Sequence, residues 1–448
     1  MTRERTVTDF FDNEYLGYAK YVVEARAIPS IVDGFKPSQR KIICAANKAW
    51  KTGSEKPMKL FQLAGIVASS MKYHHGDLSL SSSMVTLAQD FKNSMPLIES
   101  LGQFGSLRSP EAGAPRYIGT KLHKNFRLLY KDFDILIPQI EDGDEIEPKF
   151  FLPIIPTVLL NGSSGIAVGF ATNILNRHPK DLIKACYNVL DNKKIGELRP
   201  WLKGFIGTFD RIEDTHISWT ISGKYEIKNT STVAISEIPP SFTYEKYEAH
   251  LEKLLTTGVI FDYDNMSSDN VNYLIKFQRA KLTSLINEGQ LEKTLKLVER
   301  ETENLTMIGP DNELMEFDNP QDIVKFFVEY RLGWYQKRKD HLITKIEDQL
   351  NLISNRARFI KLILNGTIKV NNVKREDLID VIKDLKFDQR DGNYNYLINM
   401  PILSLTIDKY NELLTENGTK VHELAEAKIL IITDMYRADL KELEKSIK

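Results

Sequence analysis

Cysteine is nearly absent: the 448 residues hold two, Cys44 and Cys186, far apart and outside any metal-ligand spacing. That argues against a disulfide framework and a cysteine-based zinc site, and it fits a reducing compartment. Long apolar runs are missing as well; none approaches the ~18 residues that a membrane span needs. The N-terminus, MTRERTVTDFFDNEY, has no apolar stretch followed by small residues, so no secretory signal and a cytoplasmic location are expected. No G-x-x-x-x-G-K-[ST] loop occurs, so nothing in the chain looks built to hydrolyse ATP. Internal repeats and low-complexity tracts are also lacking.

What remains is the composition of an ordinary soluble protein, 42% hydrophobic and 27% charged. The length exceeds what one core usually organises, so two to four domains are expected. The net charge of −1 hides an uneven distribution. Between Arg26 and Lys131 there are 16 Lys or Arg against 6 Asp or Glu, a balance of +10 that leaves −11 for the rest. Such a block reads either as a surface for a polyanion or as a solvated basic face.

The texture of the chain changes along its length. An α+β multidomain fold is expected, with boundaries at 1–147, 148–318 and 319 onward. Residues 15–147 alternate short helical patterns with Gly- and Ser-containing turns. The second stretch opens with FFLPIIPTVLLNGSSGIAVGFATNI and holds strand-like runs such as HISWTISGKYEI and TVAISEIPP. Asn319-Pro320 then begins a long helix, with Asp318 or Asn319 as N-cap and Pro320 in the first turn. Ile343, Ile346, Leu350, Ile353, Ala357, Ile360 and Leu364 recur at alternating spacings of 3 and 4, the seam of a coiled coil. A second helix is expected from near Val421 to the C-terminus, with a stripe of Ala425, Ile429, Ile432, Tyr436, Leu440, Leu443 and Ile447. Heptads alone fit an intermolecular zipper or an antiparallel hairpin of 319–365 with 421–448. The small insert 366–420 favours the hairpin.

Five segments carry possible chemistry. Arg116-Tyr117 follows the small residues Ala112, Gly113 and Ala114. A phenol with a pKa near ~10 needs help to become a nucleophile, and an adjacent guanidinium offers charge and a phosphate-matching fork. Lys121, His123, Lys124 and Arg127 follow on an expected helix. In Lys72-Tyr73-His74-His75-Gly76-Asp77, an imidazole could accept a proton, donate to phosphate, or merely cap a helix. Arg26 to Lys41 places Lys36, Arg40 and Lys41 near an expected helix start after Pro37, where phosphate is favoured. In Asn161 to Gly169, the glycine spacing fits no nucleotide loop; Ile166 is either a wedge for a base step or part of a buried turn. Glu141, Asp142, Asp144, Glu145 and Glu147 lack the pattern of a calcium loop and are read as a solvated connection.

Taken in order, RAIPSIVDGFKPSQRKI, YHHGD, LAQ, LGQFGS, PRYI, LLNGSSGIAVGFATNI, YQKRKDHL and NYLINMPILSLTIDKY resemble type IIA DNA topoisomerases, in the subunit that gyrase calls A. The mixture of eukaryotic-like and bacterial-like words points to the bacteriophage branch of that family. The resemblance implies a winged-helix DNA-cleavage domain, an α/β tower domain, and a long antiparallel coiled coil ending in a small helical dimerisation gate. It further implies that Tyr117 attacks a phosphodiester, aided by Arg116, Arg26 and His75. Lys36, Arg40, Lys41, His74, Lys72, Lys121, Lys124 and Ile166 would meet DNA. The family's Toprim and ATPase parts have no counterpart here, so magnesium and ATP are expected on a partner subunit, with this chain a homodimer on double-stranded DNA. Leu78 and Ser82 stand where bacterial enzymes place a serine and an acid that help bind quinolones, which implies weak drug sensitivity. A non-catalytic, DNA-bending protein of the same fold is the alternative.

Overall fold

Two helices in the N-terminal third start by one recipe. Lys36 is extended, its amide donates to Gln39 Oε1 at 3.0 Å, and Pro37 opens the helix Pro37–Ala49. Lys59 and Gln62 repeat the device, at 2.9 Å, before Leu60–Ser70. A third helix, Asp77–Ala88, has Asp77 in its first turn, where the helix dipole favours an anion. These three helices pack together, with Ile42, Leu63, Val67 and Met84 buried among them. Beside them lies an antiparallel sheet in the order Met58–Lys59, Gly119–Leu122, Ile98–Leu101.

The structure, a computed structural model, describes residues 6–53, 55–268 and 270–447, without the side chain of Asp9. It separates into two units: Met1–Arg331 with Arg437–Lys448, and Leu332–Tyr436. Just past the expected boundary at 147/148, every residue from 150 to 160 is buried. Phe151 N donates to Asp33 Oδ2 at 3.0 Å, and Ile154 N to Leu129 O at 2.7 Å. The rest of the first unit holds a four-stranded antiparallel sheet, Lys224–Asn229, Thr232–Glu237, Tyr273–Lys276 and Asp262–Asn265, and a three-stranded one, Thr208–Arg211, Ser218–Ser222 and Val298–Thr302. The strand-like runs in the sequence are indeed strands. The hairpin Leu305–Ile308 with Leu314–Phe317 returns to the N-terminal segment through Ile31 N to Ile308 O at 2.9 Å.

The long helix, Pro320–Leu364, starts as expected: Asn319 Oδ1 accepts from Asp322 N at 2.9 Å. Within the second unit its partners descend along the return helix as it ascends. Lys339 Nζ meets Leu430 O, Glu347 meets Lys428, Ser354 meets Asn417, and Ala357 and Ile360 cluster with Leu413. The two helices are therefore antiparallel. Between them Phe359, Ile368, Ile382, Phe387, Tyr394 and Leu397 form a separate small core.

The return helix differs from expectation. It begins at Ile407, ends at Ile429, and resumes as Ile432–Ser446 after an extended Leu430. Its inward positions are Leu413, Asn417, Lys420, Leu424 and Ala427, while Ala425 and Ile429 are exposed. Two polar members hid that seam, and the break resets its phase before the buried Tyr436, Leu440 and Leu443.

Candidate active site

Tyr117 ends a loop whose shape is set by close backbone approaches. Gly105 has φ +83°, and a Cβ there would lie 2.7 Å from Pro110 O. Only glycine fits both conditions. Tyr117 N donates to Ala114 O at 2.9 Å, Phe61 N to Pro115 O at 3.2 Å, and Leu60 N to Ile118 O at 3.1 Å. The loop is thus clamped to the start of the helix Leu60–Ser70, and Tyr117 is left 70% exposed. Among the described residues its hydroxyl makes no hydrogen bond within the chain. The Arg116 guanidinium lies 5.1 Å from the Tyr117 ring centre, and Lys59 Nζ donates to Tyr117 O at 2.8 Å. Lys59 carried no signal in the sequence, because only the pairing of Met58–Lys59 with Gly119–Thr120 brings it there.

A second cluster forms around Arg26. This residue closes a π-helical turn, Val23–Ala27, and is exposed; such turns recur at functional sites. It lines a groove of about 400 Å³ with Tyr18, Lys36 and Ile166. Lys36 Nζ donates to Ser164 O at 2.7 Å, and burial lowers its pKa below the ordinary lysine value. Ser163–Ile166 pairs with Ala171–Ile174 in a tight hairpin, with Gly169 at φ +78°. Near its tip Ile166 is 88% exposed, which settles its placement against a buried turn. Gly165 is needed because a Cβ there would fall 2.2 Å from Ala27 O.

His75 is exposed, and its Nε2 lies 2.8 Å from the Tyr21 hydroxyl. Tyr73 meets the same ring edge-on at 5.4 Å. His74 Nε2 lies 3.4 Å from Glu141 Oε1.

Several expected DNA contacts are engaged within the chain. Arg40 is buried and gives Asp33 two hydrogen bonds, at 2.7 and 2.9 Å. Desolvation opposes its charge, yet Asp33 holds its pKa above the ordinary arginine value. Lys41 bonds Met71 O at 2.7 Å and Glu147 at 2.9 Å. Lys72 bonds Glu141 O at 2.7 Å and Asp144 at 3.1 Å. The acidic segment is therefore more than a solvated connection: Ile140–Glu141 and Asp144–Glu145 form a hairpin that clasps Lys72, and Glu147 is buried against Lys41. Lys121 lies on a strand, not a helix, and bonds Gly53 O at 2.6 Å. Lys124 is exposed, whereas Arg127 binds the Trp50 and Lys51 carbonyls and His123 caps the helix Lys124–Leu129.

Among the described residues no three His, Cys, Asp or Glu side chains converge on a metal-sized site, and no helix is long and apolar enough to cross a membrane. The residues around Tyr117 are cations and small groups that offer no carboxylate set for magnesium.

The site thus presents a solvent-facing tyrosine beside Arg116 and an exposed Ile166 at a groove lined by Arg26 and Lys36. Residues 26–441 match the family of the DNA gyrase/topoisomerase IV A-type subunits, and the chain belongs to it. It is 35% identical to the DNA topoisomerase medium subunit of Enterobacteria phage T4, over 98% of this chain and 99% of that one. It is 34% identical to DNA topoisomerase 2 of Plasmodium falciparum, over 98% of this chain but only 34% of that enzyme. The crystal structure of the Plasmodium falciparum topoisomerase II DNA-binding, cleavage and re-ligation domain superposes with a TM-score of 0.86 at 32% identity, covering 98% of this chain and 64% of that one.

Proposed function

We propose that this chain is the DNA-cleaving and religating subunit of a type IIA topoisomerase, with Tyr117 as nucleophile. The observation that carries this reading is the exposed, unbonded Tyr117 hydroxyl beside Arg116 on a loop clamped by backbone hydrogen bonds. The phenolic oxygen forms a bond to phosphorus as the P–O3′ bond breaks. The phenol loses its proton, and the departing 3′ oxygen takes one up. The 5′-phosphotyrosyl ester keeps the energy of the broken linkage, so the reverse attack reseals the strand without ATP. Arg116 and Arg26 stabilise charge on the phosphate, while Lys36 and Lys124 hold the backbone. Ile166 wedges a base step and bends the duplex.

Several finer assignments belong to the same reading. Residues 1–147, which hold the N-terminal helices and the three-stranded sheet, act as the winged-helix cleavage domain, residues 148–318 as the tower, and the antiparallel helices as a coiled coil. Exposed Ile402 (85%) and Leu403 (88%) on the small helical core form the homodimer gate. Magnesium and ATP are bound by a partner subunit with Toprim and ATPase domains, in the cytoplasm of a bacterial host. Magnesium supplies Lewis-acid chemistry at the scissile phosphate when that partner is present.

The test mixes the chain with its partner subunit, duplex DNA and magnesium, then adds detergent. A covalent adduct that disappears in Tyr117→Phe supports the reading. Tight, salt-sensitive binding with no adduct supports the DNA-bending alternative.

A further inference from the structure

Tyr21 and His75 lie 54 residues apart in sequence, yet their side chains meet at 2.8 Å. Both are exposed, so this contact adds little to stability; an exposed neutral hydrogen bond contributes at the low end of the usual range. What it does is occupy one nitrogen of the ring. Among the described residues no group bonds the other, Nδ1. Tyr73 meets the ring from a second side, at an interplanar angle of 76°. The ring is therefore held by two aromatic neighbours with a single nitrogen left open.

The polarity of the bond follows from acidity. A phenol is a far stronger acid than a neutral imidazole N–H, so Tyr21 O–H donates and Nε2 accepts. The imidazole proton then sits on Nδ1, and the open nitrogen is a donor. The opposite arrangement, with Nε2–H donating to the phenol and a bare lone pair on Nδ1, uses the weaker acid as donor. The placement of Tyr21 has a second consequence. It lies one helical turn beyond Tyr18, which lines the groove with Arg26, Lys36 and Ile166. One short helix, Leu16–Val22, thus links the His75 loop to that basic groove.

We propose that Tyr21 is a positioning residue that fixes the tautomer of His75, so that His75 offers Nδ1–H to a DNA phosphate rather than a lone pair to a proton. This rests on the reading of the chain as a cleavage subunit and decides between the two roles left open for His75. The neighbouring charges do not compete for the ring. Lys72 is engaged by Glu141, Asp142 and Asp144, His74 faces Glu141, and Asp77 accepts from Leu78 N.

The first test needs no catalysis. Long-range proton–nitrogen NMR of the full chain, labelled at histidine nitrogen, reads the tautomer of His75, assigned by its loss in His75→Gln. A pyridine-like Nε2 and pyrrole-like Nδ1, lost in Tyr21→Phe, are expected. A pyrrole-like Nε2 in the unaltered chain overturns the proposal. The second test measures adduct formation by the enzyme assembled with its partner subunit. Tyr21→Phe should slow cleavage about two- to tenfold, the effect of one neutral hydrogen bond. His75→Asn, whose amide nitrogen sits near the Nδ1 position, should keep most activity and be insensitive to Tyr21→Phe. His75→Gln, which mimics Nε2, should not. The reverse ranking, with Gln active and Asn inactive, also overturns the proposal. If Tyr117→Phe still forms adduct, the cleavage reading itself fails, and the NMR result stands apart from that failure.

Discussion

Replacing Arg40 with methionine distinguishes a scaffold cation from a phosphate ligand. Asp33 is fully buried, and its carboxylate accepts two bonds from Arg40 and one each from Phe35 N and Phe151 N. Its carbonyl oxygen also accepts from Tyr130 Oη at 3.0 Å and Thr157 Oγ1 at 2.7 Å. Removing the guanidinium leaves a buried anion with two backbone donors and no counter-charge. Breaking a buried pair in this way costs about 3–5 kcal/mol. Urea unfolding of the full chain should show a midpoint lowered in proportion to that loss. DNA binding by the folded variant should keep its salt dependence, because a cation that grips a phosphate contributes about 0.9 to the slope of log K against log salt. Lys124→Ala, at an exposed lysine, should lose that increment with an unchanged urea midpoint. The assay is fluorescence anisotropy of a labelled duplex at several salt concentrations. An Arg40→Met chain with an unaltered urea midpoint and a slope reduced by about 0.9 would refute the assignment.

Three further outcomes are expected. Gly165→Ala should push the Ile166 hairpin off Ala27 O, destabilise the chain by about 1–3 kcal/mol, and abolish DNA bending read by energy transfer between duplex ends. Wild-type bending would show that the hairpin does not seat the wedge. Burial pushes the Cys44 thiol up to about 11. At pH 8 about one thiol in a thousand is then ionised, so alkylation of the native chain should be roughly one to two hundredfold slower than of the unfolded chain, rising with pH toward that value. Rapid labelling at pH 8 would contradict the burial. Ile402→Asp with Leu403→Asp should leave helicity intact and give a monomer by light scattering; a persistent dimer would place the gate elsewhere.

The sequence was most legible where chemistry is local. The start of the long helix at Asn319-Pro320, the helix after Pro37 and the strands of HISWTISGKYEI were readable because a cap, a proline or an alternating pattern acts within a few residues. Lys36, Arg40 and Lys41 look alike in the sequence. One lines a groove, one neutralises Asp33 and one ties down Glu147. Lys36 and Lys41 depend on Ser164 O and Glu147, each more than a hundred residues away, and Arg40 reaches the nearby Asp33 only because the turn between them folds back. The return helix was misphased for a related reason: Asn417 and Lys420 face inward, and no apolar period marks them.

The sequence alone determined the family, the nucleophile candidate and the order of the elements, because ordered motifs and backbone preferences are properties of neighbouring residues. Only the tertiary structure decided which cations remain free. A charge in water costs little, whereas a charge in the core must be matched, and that matching joins residues such as Lys41 and Glu147 across more than a hundred positions of chain. The same holds for the contact of Tyr21 with His75, which no spacing announces and which exists only because two distant segments pack side by side.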